Sequence, residues 1–219
     1  MKLTVTEIRV ALEAATERDL KRWARDERAS ARELARREIG RRMSVIEDAR
    51  LEAERIECML NFERPLWKAG VLIAGCDEVG VGPLAGPVVA SAVILPPGCS
   101  ISGIDDSKKL EPEDRERLAD QIRSCAIAYA IARCDIDVID TLNIYHAALE
   151  AMRRAVTALR PVPGHLLVDA RRVPGVTIAQ KSVVKGDTLS QSIAAASILA
   201  KVYRDELMER YSEQYPGYG

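Results

Sequence analysis

AGCDEVGVGPLAGPVVASAVIL, residues Ala74–Leu95, contains the turn on which the fold depends. Just upstream, Val71–Ala74 is apolar and reads as a short strand, and Pro87–Leu95 (PVVASAVIL) reads as a second. Between them the apolar run meets two adjacent acids, Asp77 and Glu78, and then Val79-Gly80-Val81-Gly82-Pro83. Neighbouring strand residues point to opposite faces, so both carboxylates can serve one site only if the strand ends at them. The glycines supply such an ending, because they permit a sharp turn and a close approach of backbone.

Working outward, Ala126–Ala132 reads as a third strand, His165–Val168 (HLLV) as a fourth and Thr177–Val184 as a fifth. A helix is expected from about Asp137 to Leu159, with Ile144, Ala148, Met152, Ala155 and Leu159 on one face. A last helix is expected from near Thr188, whose hydroxyl can pair with Gln191 in a capping box. Three strands followed by helices alternating with strands give an α/β class, a mixed sheet with helices packed on it.

Two further acids close strand-like runs: Asp169 ends HLLV, and Asp187 follows SVVKG. A buried strand end is a costly place for a carboxylate unless a cation meets it. Several carboxylates at one sheet edge repel one another, and divalent ions with a preference for hard oxygen ligands relieve that repulsion. The set therefore points to Mg²⁺ or Mn²⁺. Zinc is disfavoured, since the only histidines are His146 and His165 and the cysteines are scattered. The plainer reading is that these acids cap helices or occupy turns, and Asp187, beside a helix start, is the most open to it.

Residues 1–68 have another texture, dense in Arg, Glu and Ala and nearly free of Gly and Pro. Capping boxes at Thr4/Glu7, Ser30/Glu33 and Ser44/Glu47 imply a module of two or three helices, closed at Pro65. Arg25, Arg28, Arg32 and Arg36 recur at helical spacing. They read either as a phosphate-contacting stripe or as a solvated face with acids such as Asp26 and Glu33 interleaved, and the second is the stronger reading. The formal net charge of -1 excludes a global basic field, so any nucleic-acid contact is local. Five cysteines without a Cys-x-x-Cys pair suit free thiols in a reducing cytosol. With no apolar secretory core and no membrane-spanning run, a cytoplasmic location is expected.

Several ordered motifs together resemble one family. Ala74–Leu95, IDDSKKL (Ile104–Leu110), LLVDA (Leu166–Ala170), VVKGDTLSQSIAAASILAKVYRD (Val183–Asp205) and YPGYG (Tyr215–Gly219) are similar, in the same order, to the signatures of bacterial ribonuclease HII. The resemblance covers about residues 70–219 and implies a ribonuclease H-like domain preceded by the helical extension of residues 1–68. It implies four catalytic and metal-binding acids, Asp77, Glu78, Asp169 and Asp187, and a two-metal site for Mn²⁺ or Mg²⁺. Asp77 is expected to bridge the ions, Glu78 and Asp169 to hold one or both, and Asp187 to complete the shell of the second ion. The implied reaction nicks RNA–DNA hybrids, and duplex DNA containing ribonucleotides, 5′ of a ribonucleotide, leaving a 3′-hydroxyl and a 5′-phosphate. It serves ribonucleotide removal in DNA replication and repair.

Substrate contacts are expected from Gly80, Val81 and Gly82 and from Lys108 and Lys185. The helical module is a candidate for added nucleic-acid contacts, and the chain is expected to act as a monomer. Two departures stand out. The family turn reads Gly-Arg-Gly where this chain has Gly80-Val81-Gly82. Family members also continue beyond the YPGYG block into a His-Lys-Gly-Tyr segment, so a catalytic domain without its C-terminal part is expected. Other readings are a ribonuclease HIII-like enzyme and a catalytically impaired hybrid-binding protein.

Overall fold

A computed structural model describes residues 4–26 and 28–217. The chain divides into two compact units, one ending at Glu54 and one beginning at Arg55.

The first unit is helical. Helices α1 (Val5–Glu13) and α2 (Glu17–Trp23) are followed by α3 (Ala29–Met59), whose last residues belong to the second unit. Thr4 caps α1 through the expected box with Glu7. A second box, Thr16 with Asp19, caps α2 and was not anticipated. The boxes expected at Ser30 and Ser44 do not form, since both residues lie inside the 31-residue α3. Ser44 instead donates to Asp48, one turn on, at 3.3 Å. The dense Arg–Glu pairing along α3 carries the helix through both positions. Ile8, Leu12, Leu20, Ala31 and Ala35 form this unit's small core. The arginine stripe resolves into local contacts. Arg28 pairs with Asp26 at 2.9 Å, Arg32 donates to the Asp26 carbonyl at 2.7 Å, and Arg25 lies ahead of α3 rather than on its face.

The second unit holds α4 (Glu63–Lys68) and a five-stranded sheet. Pro65 does not close a helix. It sits in the first turn of α4, where its missing N–H is tolerated. The strands are β1 (Ile73–Val79), β2 (Val88–Ile94), β3 (Ala128–Cys134), β4 (His165–Asp169) and β5 (Ala179–Val183), in the spatial order β3-β2-β1-β4-β5. β1 pairs antiparallel with β2 and parallel with β4, β2 pairs antiparallel with β3, and β4 pairs parallel with β5. This is the mixed sheet that the strand order implied.

Helices cover both faces. The even-numbered β2 residues Val88, Ala90, Ala92 and Ile94 share a core with α7 (Ile144–Ala158). Val93, from the other face, packs with α5 (Pro112–Cys125) and with α9 (Gln191–Gln214). Two expected helix boundaries are corrected. The helix expected over 137–159 breaks into α6 (Ile136–Leu142) and α7 at Asn143, which adopts φ 67° and caps α7 by accepting from His146 N at 3.1 Å. The last helix starts at Gln191, capped by Ser190 rather than Thr188, after a single turn α8 (Gly186–Leu189). Tyr218 and Gly219 of the YPGYG block lie outside the described residues. Among the described residues no helix is long and apolar enough to cross a membrane.

Candidate active site at the carboxyl ends of the parallel strands

Strands β1, β4 and β5 run parallel, so their carboxyl ends share one edge of the sheet. That edge is where open α/β sheets offer a crevice to ligands. Asp77 and Glu78 lie near the end of β1, Asp169 ends β4, and Asp187 follows β5 within α8.

β1 does not stop at the acids as expected. Its ladder with β2 continues through Asp77↔Ser91, Glu78↔Ala90 and Val79↔Val89, whereas its pairing with β4 ends at Cys76↔Val168. The backbone of the two acids is thus satisfied on one side only, and their side chains alternate across the sheet. Asp77, two residues beyond Gly75, faces Ser197 of α9 on one side of the sheet, and that hydroxyl holds its proton affinity down. Glu78 lies 3.3 Å from the Arg171 guanidinium, which stacks 5.2 Å from the ring of Tyr145 at the start of α7 on the other. The two carboxylates straddle the sheet's end, and Asp169 acts electrostatically on both.

Burial decides the electrostatics. Asp77 is 6% exposed. Desolvation pushes its proton affinity well above the usual carboxylate range, with Glu78 and Asp169 adding repulsion. Glu78 rises to about 7, mainly by desolvation, with Arg171 opposing and Asp169 adding. Asp187 rises by desolvation and by repulsion from Asp106 and Asp169, while Lys108 opposes. Asp169 is fixed by the following turn, its Oδ1 accepting from Gly186 N at 2.7 Å. All four acids are therefore electrostatically linked at one edge. Among the described residues no three acidic, histidine or cysteine side chains stand close enough to hold an ion as they are. Glu78 turns to Arg171, and Asp169 to the Gly186 amide. The chemistry of the set still fits a hard cation: every donor is a carboxylate oxygen, and Glu78 Oε2 is buried with no hydrogen-bond partner among the described residues.

The turns around the edge are specialised. Ala170 takes φ 47°, a conformation costing a non-glycine residue on the order of 1 kcal/mol, and so swings Arg171 back over Glu78. Gly80 has φ 98°, and a Cβ there would lie 2.6 Å from both Arg204 Nε and Pro87 O. Arg204 in turn holds the loop, donating to Pro87 O at 3.1 Å and Ala85 O at 2.8 Å. Gly82 has open space, and half-buried Val81 packs on the α7-side core. Of the expected cationic contacts, Lys108 acts on both Glu78 and Asp187, while its neighbour Lys109 turns to Asp105 at 3.1 Å. Lys185 is exposed at the left-handed residue before α8. Arg171, Arg204, Ser197 and Asp106 were not singled out by sequence reasoning. Only the adjacency of Arg171 to Asp169 offered a signal.

A family model described as ribonuclease HII matches residues 74–219. A ribonuclease HII of Myxococcus xanthus is 54% identical over 196 residues, 89% of this chain and 66% of the relative. A ribonuclease HII of an Anaeromyxobacter strain is 52% identical over 195 residues, 89% of this chain and 61% of the relative. The chain thus spans a little under two thirds of these relatives' length. Among solved structures, ribonuclease H2 from Pyrococcus horikoshii superposes with a TM-score of 0.60 at 26% identity, covering 67% of this chain and 78% of that one.

Proposed function

Because the chain belongs to the ribonuclease HII family, we propose that it is a metal-dependent endonuclease that cuts the RNA strand of RNA–DNA hybrids and nicks duplex DNA 5′ of an embedded ribonucleotide. The observation that carries this reading is the gathering of four acids at the carboxyl ends of three parallel strands, with Asp77 buried and Glu78 half-buried, both with raised proton affinity. Isolated carboxylates are not buried together without compensation. Asp77, Glu78, Asp169 and Asp187 would hold Mn²⁺ or Mg²⁺, and such ions supply activation of the attacking water and stabilisation of the leaving 3′-oxygen.

The chain's own groups do the rest. The Ser197 hydroxyl favours the ionised form of Asp77, and the Gly186 amide orients Asp169. Lys108 offers a cation at the rim for a substrate phosphate, beside Glu78 and Asp187. The Gly80–Gly82 turn presents backbone where a sugar 2′-hydroxyl could be sensed, the group that separates RNA from DNA. Val81 adds no charge to that turn, so binding leans on backbone contacts and on Lys108.

The test is a nicking assay with Mn²⁺ on a duplex holding one ribonucleotide, set beside a binding assay. Cleavage 5′ of the ribonucleotide that disappears in Asp77→Asn, with the circular dichroism spectrum unchanged, supports the reading. Activity retained in that variant removes Asp77 from the chemistry. Binding without cleavage by the parent chain favours an impaired hybrid-binding protein.

A further inference from the structure

Glu63 lies ahead of residues 74–219, the segment that the family model matches. It is 0% exposed. Its Oε1 accepts two hydrogen bonds, from Ser190 Oγ at 2.6 Å and from Ser192 N at 3.1 Å. Its Oε2 is buried with no hydrogen-bond partner among the described residues. Desolvation raises its proton affinity, and the bonds from Ser190 and Ser192 only oppose that rise. A carboxyl in such a place costs stability, because an unsatisfied buried polar group has lost its water without a replacement.

What the arrangement gains is register. Ser190 caps α9, its hydroxyl accepting from Ile193 N at 3.3 Å while donating to Glu63. Ser192 is seated against β1: a Cβ on Gly75 would stand 2.0 Å from the Ser192 carbonyl carbon and oxygen. Gly75 is two residues before Asp77. Asp187 is three residues before Ser190, and Ser197, which acts on Asp77, lies in the second turn of α9. The start of α9 is therefore pinned between α4 and β1, with a site acid upstream and a site hydroxyl downstream.

We propose that Glu63 is a positioning residue that fixes the start of α9 against β1, so that Asp187 and Ser197 meet the carboxylates on β1 and β4. The consequence for metal binding rests on the reading of those acids as ion ligands. The coupling of Glu63 to α8 and α9 does not. Groups that orient ligands from outside the coordination sphere typically change metal affinity about 10–100-fold when removed. Glu63→Ala is expected to weaken Mn²⁺ binding about tenfold by calorimetry, below its melting temperature, and to speed amide exchange of residues 186–193 in chelator. Glu63→Gln keeps the oxygen that makes both bonds, so it is expected to stay within about twofold of the parent in both readouts. A role in global stability alone would not reproduce that split. If Glu63→Ala does not fold, Ser190→Ala removes the 2.6 Å bond to Glu63 together with the cap on Ile193 N, and carries the same readouts in the same direction. Parent-like Mn²⁺ affinity together with parent-like exchange in a folded Glu63→Ala or Ser190→Ala overturns the proposal. If the parent chain binds no Mn²⁺, the metal reading fails, and the exchange arm decides the coupling alone: faster exchange restored by glutamine sustains it, and unchanged exchange refutes it.

Discussion

Replacing Glu78 with glutamine should change how the metal-free chain's stability depends on pH. In the folded chain this carboxyl is pushed from 4.5 to about 7, mostly by desolvation. Its folded proton affinity exceeds its unfolded one, so the folded state holds the proton more tightly. Glu78 therefore contributes no penalty below about pH 4, a growing one as pH rises to about 7, and a constant one above. At about 1.4 kcal/mol per tenfold change in proton affinity, the full penalty is about 3 kcal/mol. Glutamine does not titrate, so the stability difference between parent and variant should move by about that amount, in the variant's favour, between about pH 4 and pH 8. The attraction of the Arg171 guanidinium, 3.3 Å away, already opposes this rise, so its loss in the variant is contained in the same difference. The assay is urea unfolding in chelator, followed by Trp67 fluorescence in a Trp23→Phe background, because Trp67 packs in the second unit's core. Parallel pH profiles for the two proteins would refute the assignment of Glu78 as a half-buried acid that ionises at a cost.

Other outcomes follow from the same geometry. Val81→Arg should raise nicking of a duplex with one ribonucleotide by adding a cation to the Gly80–Gly82 turn, and no gain would mean that the position contributes little. Gly75→Ala should destabilise the second unit by about 3 kcal/mol or more in thermal melts, because its Cβ would meet the Ser192 backbone at 2.0 Å and neither β1 nor α9 is free to shift. A parent-like melting temperature would mean that α9 is not seated there.

The strands and the four acids were legible because burial writes itself into sequence. Runs such as HLLV and VVASAVI are too apolar to lie outside a sheet, and a carboxylate placed at the end of such a run marks a candidate site. The length of β1 was not legible. Carboxylates usually end strands, but here the pairing with β2 carries Asp77 and Glu78 onward, so they reach the site from opposite faces rather than from a shared turn. Ser44 could not be read because its box pattern is the same inside a helix as at its start, and the ion pairs along α3 decide between them. Glu63 and Arg171 were illegible for another reason. Each acquires its partners only when the fold brings distant segments together, Glu63 to Ser190 and Arg171 to Glu78.

Titration calorimetry of Mn²⁺ into the metal-free chain, beside Asp77→Asn and Asp169→Asn, bears most directly on whether these acids form one ion site. Saturable binding by the parent, lost or weakened at least tenfold in both variants, is the outcome that a shared site demands. Binding that survives both substitutions, or that only one of them disturbs, would mean that the carboxyl ends of β1 and β4 do not act together.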